Sequence, residues 1–235
     1  MTPRVQSLKQ VLLTVVQLSI LVVLVSPVYQ WIVGVTLMSI VASGDVKATR
    51  RMLTYVPMIN INWQDGLGYG YLHDAAIFGR VDMLKLLLEQ PNIDVNLKNY
   101  RYSTRKLDHT PLHTAALNTL RYDTTDFICH LVQDPRVSLN ERTDDGSTAL
   151  SHAAGGGKMR AVKCMIATGQ PLDLSEDCSR TADSGRSPTN CLWNFADAIR
   201  SAEMYDHTDI QQLLTEYKAN RDAVIAKVRY ELGSG

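Results

Sequence analysis

Between Val11 and Ala42 the chain carries no charged residue, and Val11 to Val25 reads VLLTVVQLSILVVLV with only Thr14, Gln17 and Ser19 as polar interruptions. Beyond that run, hydrophobic positions recur at helical spacing instead of following one another. Val81, Leu84, Leu87 and Leu88 mark one face of a helix, and Ile210, Leu213, Leu214, Tyr217, Val224 and Val228 mark one face of a longer helix near the C-terminus. Thr208, with Gln211 three residues on, predicts a capping box that opens this last helix. Arg221, Lys227 and Arg229 stay on its polar side, as a terminal cap requires.

The two regimes call for different readings. Arg4 and Lys9 before an apolar run have the form of a secretory signal or a signal anchor. A spanning helix needs about 20 apolar residues, and Val11 to Val33 supplies that length with Pro27 as a kink. A cleaved signal needs small residues before the cut; Ser26 is followed at once by Pro27, and Val41-Ala42-Ser43 lies far from the apolar core. The favoured expectation is therefore an uncleaved anchor in residues 1–34 and a single-pass membrane protein. A cleaved signal with a secreted or periplasmic product is the alternative, and a soluble core helix is the third reading. The basic N-terminus leans towards a domain outside the cytoplasm.

The rest of the chain repeats itself. GYLHDAA from Gly70, TPLHTAA from Thr110, TALSHAA from Thr148 and NCLWNFA from Asn190 start 40, 38 and 42 residues apart, and LMSIVASGDV from Leu37 is a worn earlier copy. These segments resemble the ankyrin repeat. Gly70 to Asn99 matches that family's unit at Leu72, His73, Ala75, Ala76, Gly79, Val81, Leu87, Leu88, Asp94, Val95 and Asn96, and Thr110 to His113 reproduces its opening tetrapeptide. The resemblance implies an all-α solenoid of about five helix-turn-helix units with projecting tips. It covers residues 35–220, with a capping helix and tail over 208–235. The repeats run longer than the family's unit, and the last lacks Thr-Pro-Leu-His.

Each letter also has its own chemistry. Thr110 places a hydroxyl where an early helical N–H needs an acceptor, and Pro111 sits in the first turn, where its missing N–H is harmless. Gly79 and Gly157 supply the left-handed conformation that ends a helix. Asn60-Ile61-Asn62 and Asp94-Val95-Asn96 lead into turns, because Asn and Asp bond locally.

Composition adds exclusions. Lys plus Arg equals Asp plus Glu at 24 each, so there is no basic excess for nucleic acid. Cys129, Cys164, Cys178 and Cys191 form no Cys-x-x-Cys pair. Cys129 and Cys164 read as small buried hydrophobes, while Cys178 and Cys191 flank a polar loop and pair only in an oxidising compartment. His73 and His113 tempt as catalysts, the first beside Asp74, but the resemblance makes them structural ties between repeats. Cys129 and His130 are adjacent on a helix and do not face each other. Gly155-Gly156-Gly157 lacks the Lys and Ser/Thr of a phosphate loop and reads as a helix end. No catalytic, metal or cofactor residue is expected, and no small-molecule substrate.

What remains is binding of another protein, which the resemblance places on the concave face and tips. Trp63 to Tyr69, Asn99 to His109, Arg142 to Ser147 and Asp177 to Thr189 are the tips. Tyr100, Arg101, Tyr102, Arg105 and Lys106 combine the residue types that dominate hot spots. Ile77 and Phe78 are expected on the exposed part of a first helix, beside that tip, so that an apolar pair next to an aromatic, basic loop forms a docking patch for an acidic segment; Trp63 and Tyr69 of the first tip complete the candidate partner-binding residues. The loop Leu174 to Thr189 has no periodicity.

Overall fold

A computed structural model describes residues 13–17, 19, 20, 26–100, 108–118, 122–174 and 197–233. Its elements are α1 (Pro27–Ser43), α2 (Val46–Tyr55), α3 (Tyr71–Ile77), α4 (Val81–Leu88), α5 (Pro111–Leu117), α6 (Thr125–Leu131), α7 (Ala149–Gly155), α8 (Met159–Ala167), α9 (Ala198–Met204), α10 (Thr208–Ala219) and α11 (Arg221–Gly233). Among the described residues there is no strand, only two isolated bridges, Gln64 with Gly70 and Arg142 with Thr148, that pinch two of the tips.

One joint recurs in four of the units. A first helix ends, one residue takes a left-handed backbone, and a second helix returns. Gly44, Gly79 and Gly157 hold that residue's place with φ of 83°, 61° and 68°, and Asp206 holds it in the last unit with φ of 60°. The following amide then closes onto the first helix: Asp45 N on Ile40 O, Arg80 N on Ala75 O, Lys158 N on Ala153 O and His207 N on Ala202 O. Aspartate tolerates the left-handed region better than most residues, which lets the joint survive without glycine.

First helices α1, α3, α5, α7 and α9 stack in one row, and second helices α2, α4, α6 and α8 stack in another. Leu37, Val41, Leu72, Leu84, Leu87, Leu112, Ile128, Leu150, Val162 and Ile166 fill the space between rows. Paired alanines, Ala75-Ala76, Ala115-Ala116 and Ala153-Ala154, are fully buried and let neighbouring first helices approach closely.

An asparagine ladder ties the units in the segments that lead into the tips. Asn62 donates to Asn92 O (2.8 Å) and accepts from Asp94 N (2.8 Å). Asn96 does the same with Arg136 O and Ser138 N, and Asn140 with Pro171 O and Asp173 N. The local turn bonds expected of these segments are present too, Asn62 N on Asn60 Oδ1 and Asn96 N on Asp94 Oδ1.

The N-terminal expectation is corrected. No helix among the described residues is long and apolar enough to cross a membrane, so the single-pass anchor over residues 11–33 lacks support. The apolar run is divided at Ser26, whose hydroxyl accepts from Tyr29 N, with Pro27 in the first turn of α1. Beyond that division, Val33, Gly34, Leu37 and Val41 are committed to the stack, and the Trp63 indole lies over Gly34 so closely that a methyl there would overlap it. Apolar residues read as a separate N-terminal helix are, from Pro27 onward, the first helix of the first unit. Arg4 and Lys9 lie outside the described residues.

The C-terminal end differs from expectation in detail. The helix starting at Thr208 is preceded by His207, which makes no side-chain cap bond, so the Thr208–Gln211 capping box is not formed. The single long helix is two helices, because Asn220 caps the second by accepting from Ala223 N. The repeat starting at Asn190, the loop beyond Leu174, and Cys178 and Cys191 lie outside the described residues.

Candidate docking face

The inner first helices α3, α5 and α7 bury most of their residues against their two neighbours and the second row. On α3, Tyr71, Leu72, His73, Ala75 and Ala76 are buried, which leaves Asp74, Ile77 and Phe78 as the accessible stripe at i, i+3 and i+4. Ile77 and Phe78 are half-buried instead of exposed. On α5 the corresponding residues are Thr114, Leu117 and Asn118, with Leu117 41% exposed. Met204 and Tyr205 extend the apolar stripe at α9, being 42% and 49% exposed. Between these units, Gly155 and Gly156 present no side chain.

Phe78 sits where two units meet. Its ring lies 5.7 Å from that of Tyr122, which is 44% exposed, at 65°. The Asn118 amide donates to Ile77 O, joining the two first helices beside this aromatic pair. Below it, Lys158 donates to Ala115 O, Asn118 O and Thr124 Oγ1 at 2.8 to 3.0 Å. Burial pushes its pKa down to about 8, yet all three donors are used in closing helix ends.

The tip above α3 is built on Asp65, whose Oδ1 accepts from Leu67 N and Tyr69 N at 2.8 and 2.9 Å. Tyr100 N donates to Leu67 O, and Tyr100 lies so close over Gly68 that a Cβ there would overlap it, while the Gly68 φ of 78° independently favours glycine. Tyr69 is half-buried with its ring edge against His73 at 5.6 Å. Trp63 stacks on Tyr71 at 6.4 Å. Tyr100 is the one described member of the expected Tyr/Arg tip; Arg101, Tyr102, Arg105 and Lys106 lie outside the described residues. The structure thus brings Tyr69, Ile77 and Phe78 onto one side of α3 and its tip, and seats Trp63 deeper, between units.

Asp74 is the charged group on this face. Burial and the nearby Asp65 carboxylate raise its pKa to about 7.

The histidines are structural ties. His73 accepts from Gly70 N through Nδ1 and reaches His109 O through Nε2 at 3.0 Å, spanning two units. His113 accepts from Thr110 N through Nδ1, which also lies 2.8 Å from the Thr110 hydroxyl. His109, His113 and His152 form a triangle with ring centroids 6.0 to 6.1 Å apart. Burial lowers His73 and His152 to about 4 and, with the neighbouring histidines, His113 to about 3. Neutral rings in this position hold backbone and each other. Among the described residues, no group of three or more His, Cys, Asp or Glu is placed to hold a metal ion.

One feature of the outer row escaped the sequence. Cys129 of α6 and Cys164 of α8 form a disulfide, with Cα atoms 5.2 Å apart. They are not separate buried hydrophobes. The available signal was that both cysteines fall in the middle of second helices in consecutive units, which stacking places side by side. A depression of about 490 Å³ beside the disulfide is lined by Val132, Ala167, Leu232 and Arg229, whose guanidinium is held by Ala167 O and Thr168 O.

Comparison with known proteins agrees with this architecture. Residues 68–100 match the family model described as "Ankyrin repeat". The chain is similar to alpha-latrotoxin-Lg1a of Latrodectus geometricus, 32% identical over 119 residues, which are 49% of this chain and 8% of that protein. It is also similar to the SMC5-SMC6 complex localization factor protein 1 of Bos taurus, 28% identical over 82% of this chain and 17% of the relative. A third relative is the probable E3 ubiquitin-protein ligase XBOS33 of Oryza sativa subsp. japonica, 28% identical over 81% of this chain and 39% of the relative. The chain therefore spans less than half the length of each of these relatives.

Proposed function

We propose that this ankyrin-repeat chain is a docking module that binds another protein through the accessible side of its first-helix row and the adjoining tips. The observation that carries the proposal is the half-exposed stripe of Ile77, Phe78, Leu117, Tyr122, Met204 and Tyr205 along that row. Aromatic and aliphatic groups held on rigid helices offer contact area at little entropic cost. The three relatives are named as a toxin, a complex localization factor and a ligase. They are similar to 49%, 82% and 81% of this chain and to less than half of their own lengths, so none of those activities is carried over. Trp63, Tyr69, Ile77, Phe78 and Tyr100 form the described part of the proposed site. Arg101, Tyr102, Arg105 and Lys106 extend it in sequence, and their charge is the basis for an acidic segment in the partner.

The test is site-specific photo-crosslinking in the full chain. A crosslinker at Phe78 should capture a partner, and one at the exposed Lys85 on α4 of the outer row should not. Equal capture at both positions removes the docking face.

A second reading concerns the compartment. The Cys129–Cys164 disulfide favours an oxidising environment and therefore a secreted or periplasmic interaction protein. Differential alkylation of protein taken from its native source checks this: both thiols should be protected, and free thiols at 129 and 164 would refute it.

A further inference from the structure

We infer that Asp74, together with the Phe78–Tyr122 aromatic pair, is a receptor for an arginine side chain presented by the docked protein. The inference rests on the docking reading above and adds the chemistry of one contact.

Three observations converge. First, Asp74 and Phe78 are one helical turn apart on the accessible stripe of α3, so carboxylate and ring face the same space. Second, Phe78 and Tyr122 meet at 5.7 Å and 65°, and Tyr122 remains 44% exposed, so the pair is a surface and not core. Third, among the described residues the Asp74 carboxylate accepts no hydrogen bond and makes no ion pair, and the charge that acts on it most is another carboxylate, Asp65. Its raised pKa reports the same imbalance: a half-buried acid whose charge nothing nearby offsets.

The missing group is a cation. Arginine fits better than lysine because a planar guanidinium satisfies a carboxylate with two parallel donors and stacks on an aromatic face at once. The third observation also excludes a purely apolar occupant, which would bury Asp74 further without a partner. The basic residues of the 101–106 sequence ask for acid in the partner, and Asp74 asks for a base.

The experiment is an NMR titration of the full chain with Nα-acetyl-arginine methylamide, using the citrulline analogue as its neutral isostere. The arginine probe should shift the Asp74 carboxyl and the Phe78 and Tyr122 ring resonances saturably. It should bind at least about five-fold tighter than the citrulline probe. Asp74→Asn preserves shape and should reduce arginine to the citrulline level, and Tyr122→Ala should weaken it while leaving Asp74 responsive. Equal binding of the two probes overturns the proposal, as does an unchanged response in Asp74→Asn. Absence of any shift also overturns it, and is the outcome expected if the chain's own basic tip occupies the pocket. Crosslinking at Phe78 that succeeds while the arginine probe fails rejects the arginine contact and leaves the docking face standing.

Discussion

The two ends of the stack are finished in opposite ways. At the C-terminal end, α11 lays Val224, Ile225 and Val228 against the last units, leaves Asp222 and Lys227 on its exposed side, and donates from Arg221 to Gly169 O and from Arg229 to Ala167 O and Thr168 O. Glu231 on its rim pairs with Lys163 at 2.7 Å. The adjacent units are stapled by the disulfide between α6 and α8. At the N-terminal end, α1 buries Val33, Gly34, Leu37 and Val41 on one side and shows Val28, Trp31, Ile32 and Val35 on the other, between 42% and 66% exposed. Terminal units of a repeat stack carry a polar outer face to stay soluble. α11 supplies one, whereas the outer face of α1 is apolar, so resistance to unfolding should rise from α1 towards α11.

The largest way to break this contrast is to remove the better end. Deleting residues 221–235 strips three buried aliphatic side chains, and stability should fall on the order of 5 kcal/mol. The urea midpoint measures it, and a change under about 1 kcal/mol would mean that α11 is not a cap.

Reduction comes next. Closing 35 residues, the Cys129–Cys164 bond should contribute about 2 to 4 kcal/mol. Melting with and without a strong reductant reads it. Hydrogen exchange should show the loss in α6 and α8, with α1 and α2 unaffected.

Acid probes the middle of the stack. His73, His113 and His152 are held neutral, with folded pKa values of about 4, 3 and 4 against an ordinary 6.5. The unfolded chain takes up protons first as pH drops. Their contribution is therefore full above about pH 6.5 and is lost progressively as pH falls towards the folded values. His152→Gln should flatten the slope of stability against pH by up to about 1.4 kcal/mol per unit between pH 6 and 4.5. An unchanged slope would show that this ring is solvated. Asp74 works in the other direction, since a raised carboxyl favours the fold at lower pH, and Asp74→Asn removes that opposing trend.

The smallest effect sharpens the comparison. Trp31→Glu alters the open face without touching the core, so the stability change should stay within about 0.5 kcal/mol. A loss above 2 kcal/mol would show that this face is covered in solution and that the two ends are alike.

Motif residues were readable before any coordinates because their bonds are local. Thr110, Pro111 and His113 lie within four positions; Thr110 and His113 bond to each other and Pro111 occupies the first turn between them. Gly79 and Gly157 were readable because a left-handed residue leaves few choices. What could not be read depends on the stacking of units. The partner of Cys129 is fixed by a neighbouring helix, and the inter-unit bonds of Asn62, Asn96 and Asn140 reach backbone 30 or more residues away. The apolar run misled for a related reason: uniform hydropathy shows no face, so the residues from Pro27 onward gave no sign of which side meets the first unit. At the candidate docking face, Ile77 and Phe78 were visible as a pair, but Tyr122 and an Asp74 with no partner among the described residues were not, since a pairing across units and a missing counter-charge leave no trace in spacing.

The asparagine ladder has a consequence for how such a chain grows. Each rung joins one side-chain amide to two main-chain groups of the next unit, so it depends on that unit's backbone path and not on its side chains. A duplicated unit inserted between two others would find the same fittings on both sides. Its surface would then be free to diverge, because the coupling makes no demand on the neighbour's identity. Lengthening by tandem duplication, followed by specialisation of individual copies, is thus a route that the joint itself leaves open.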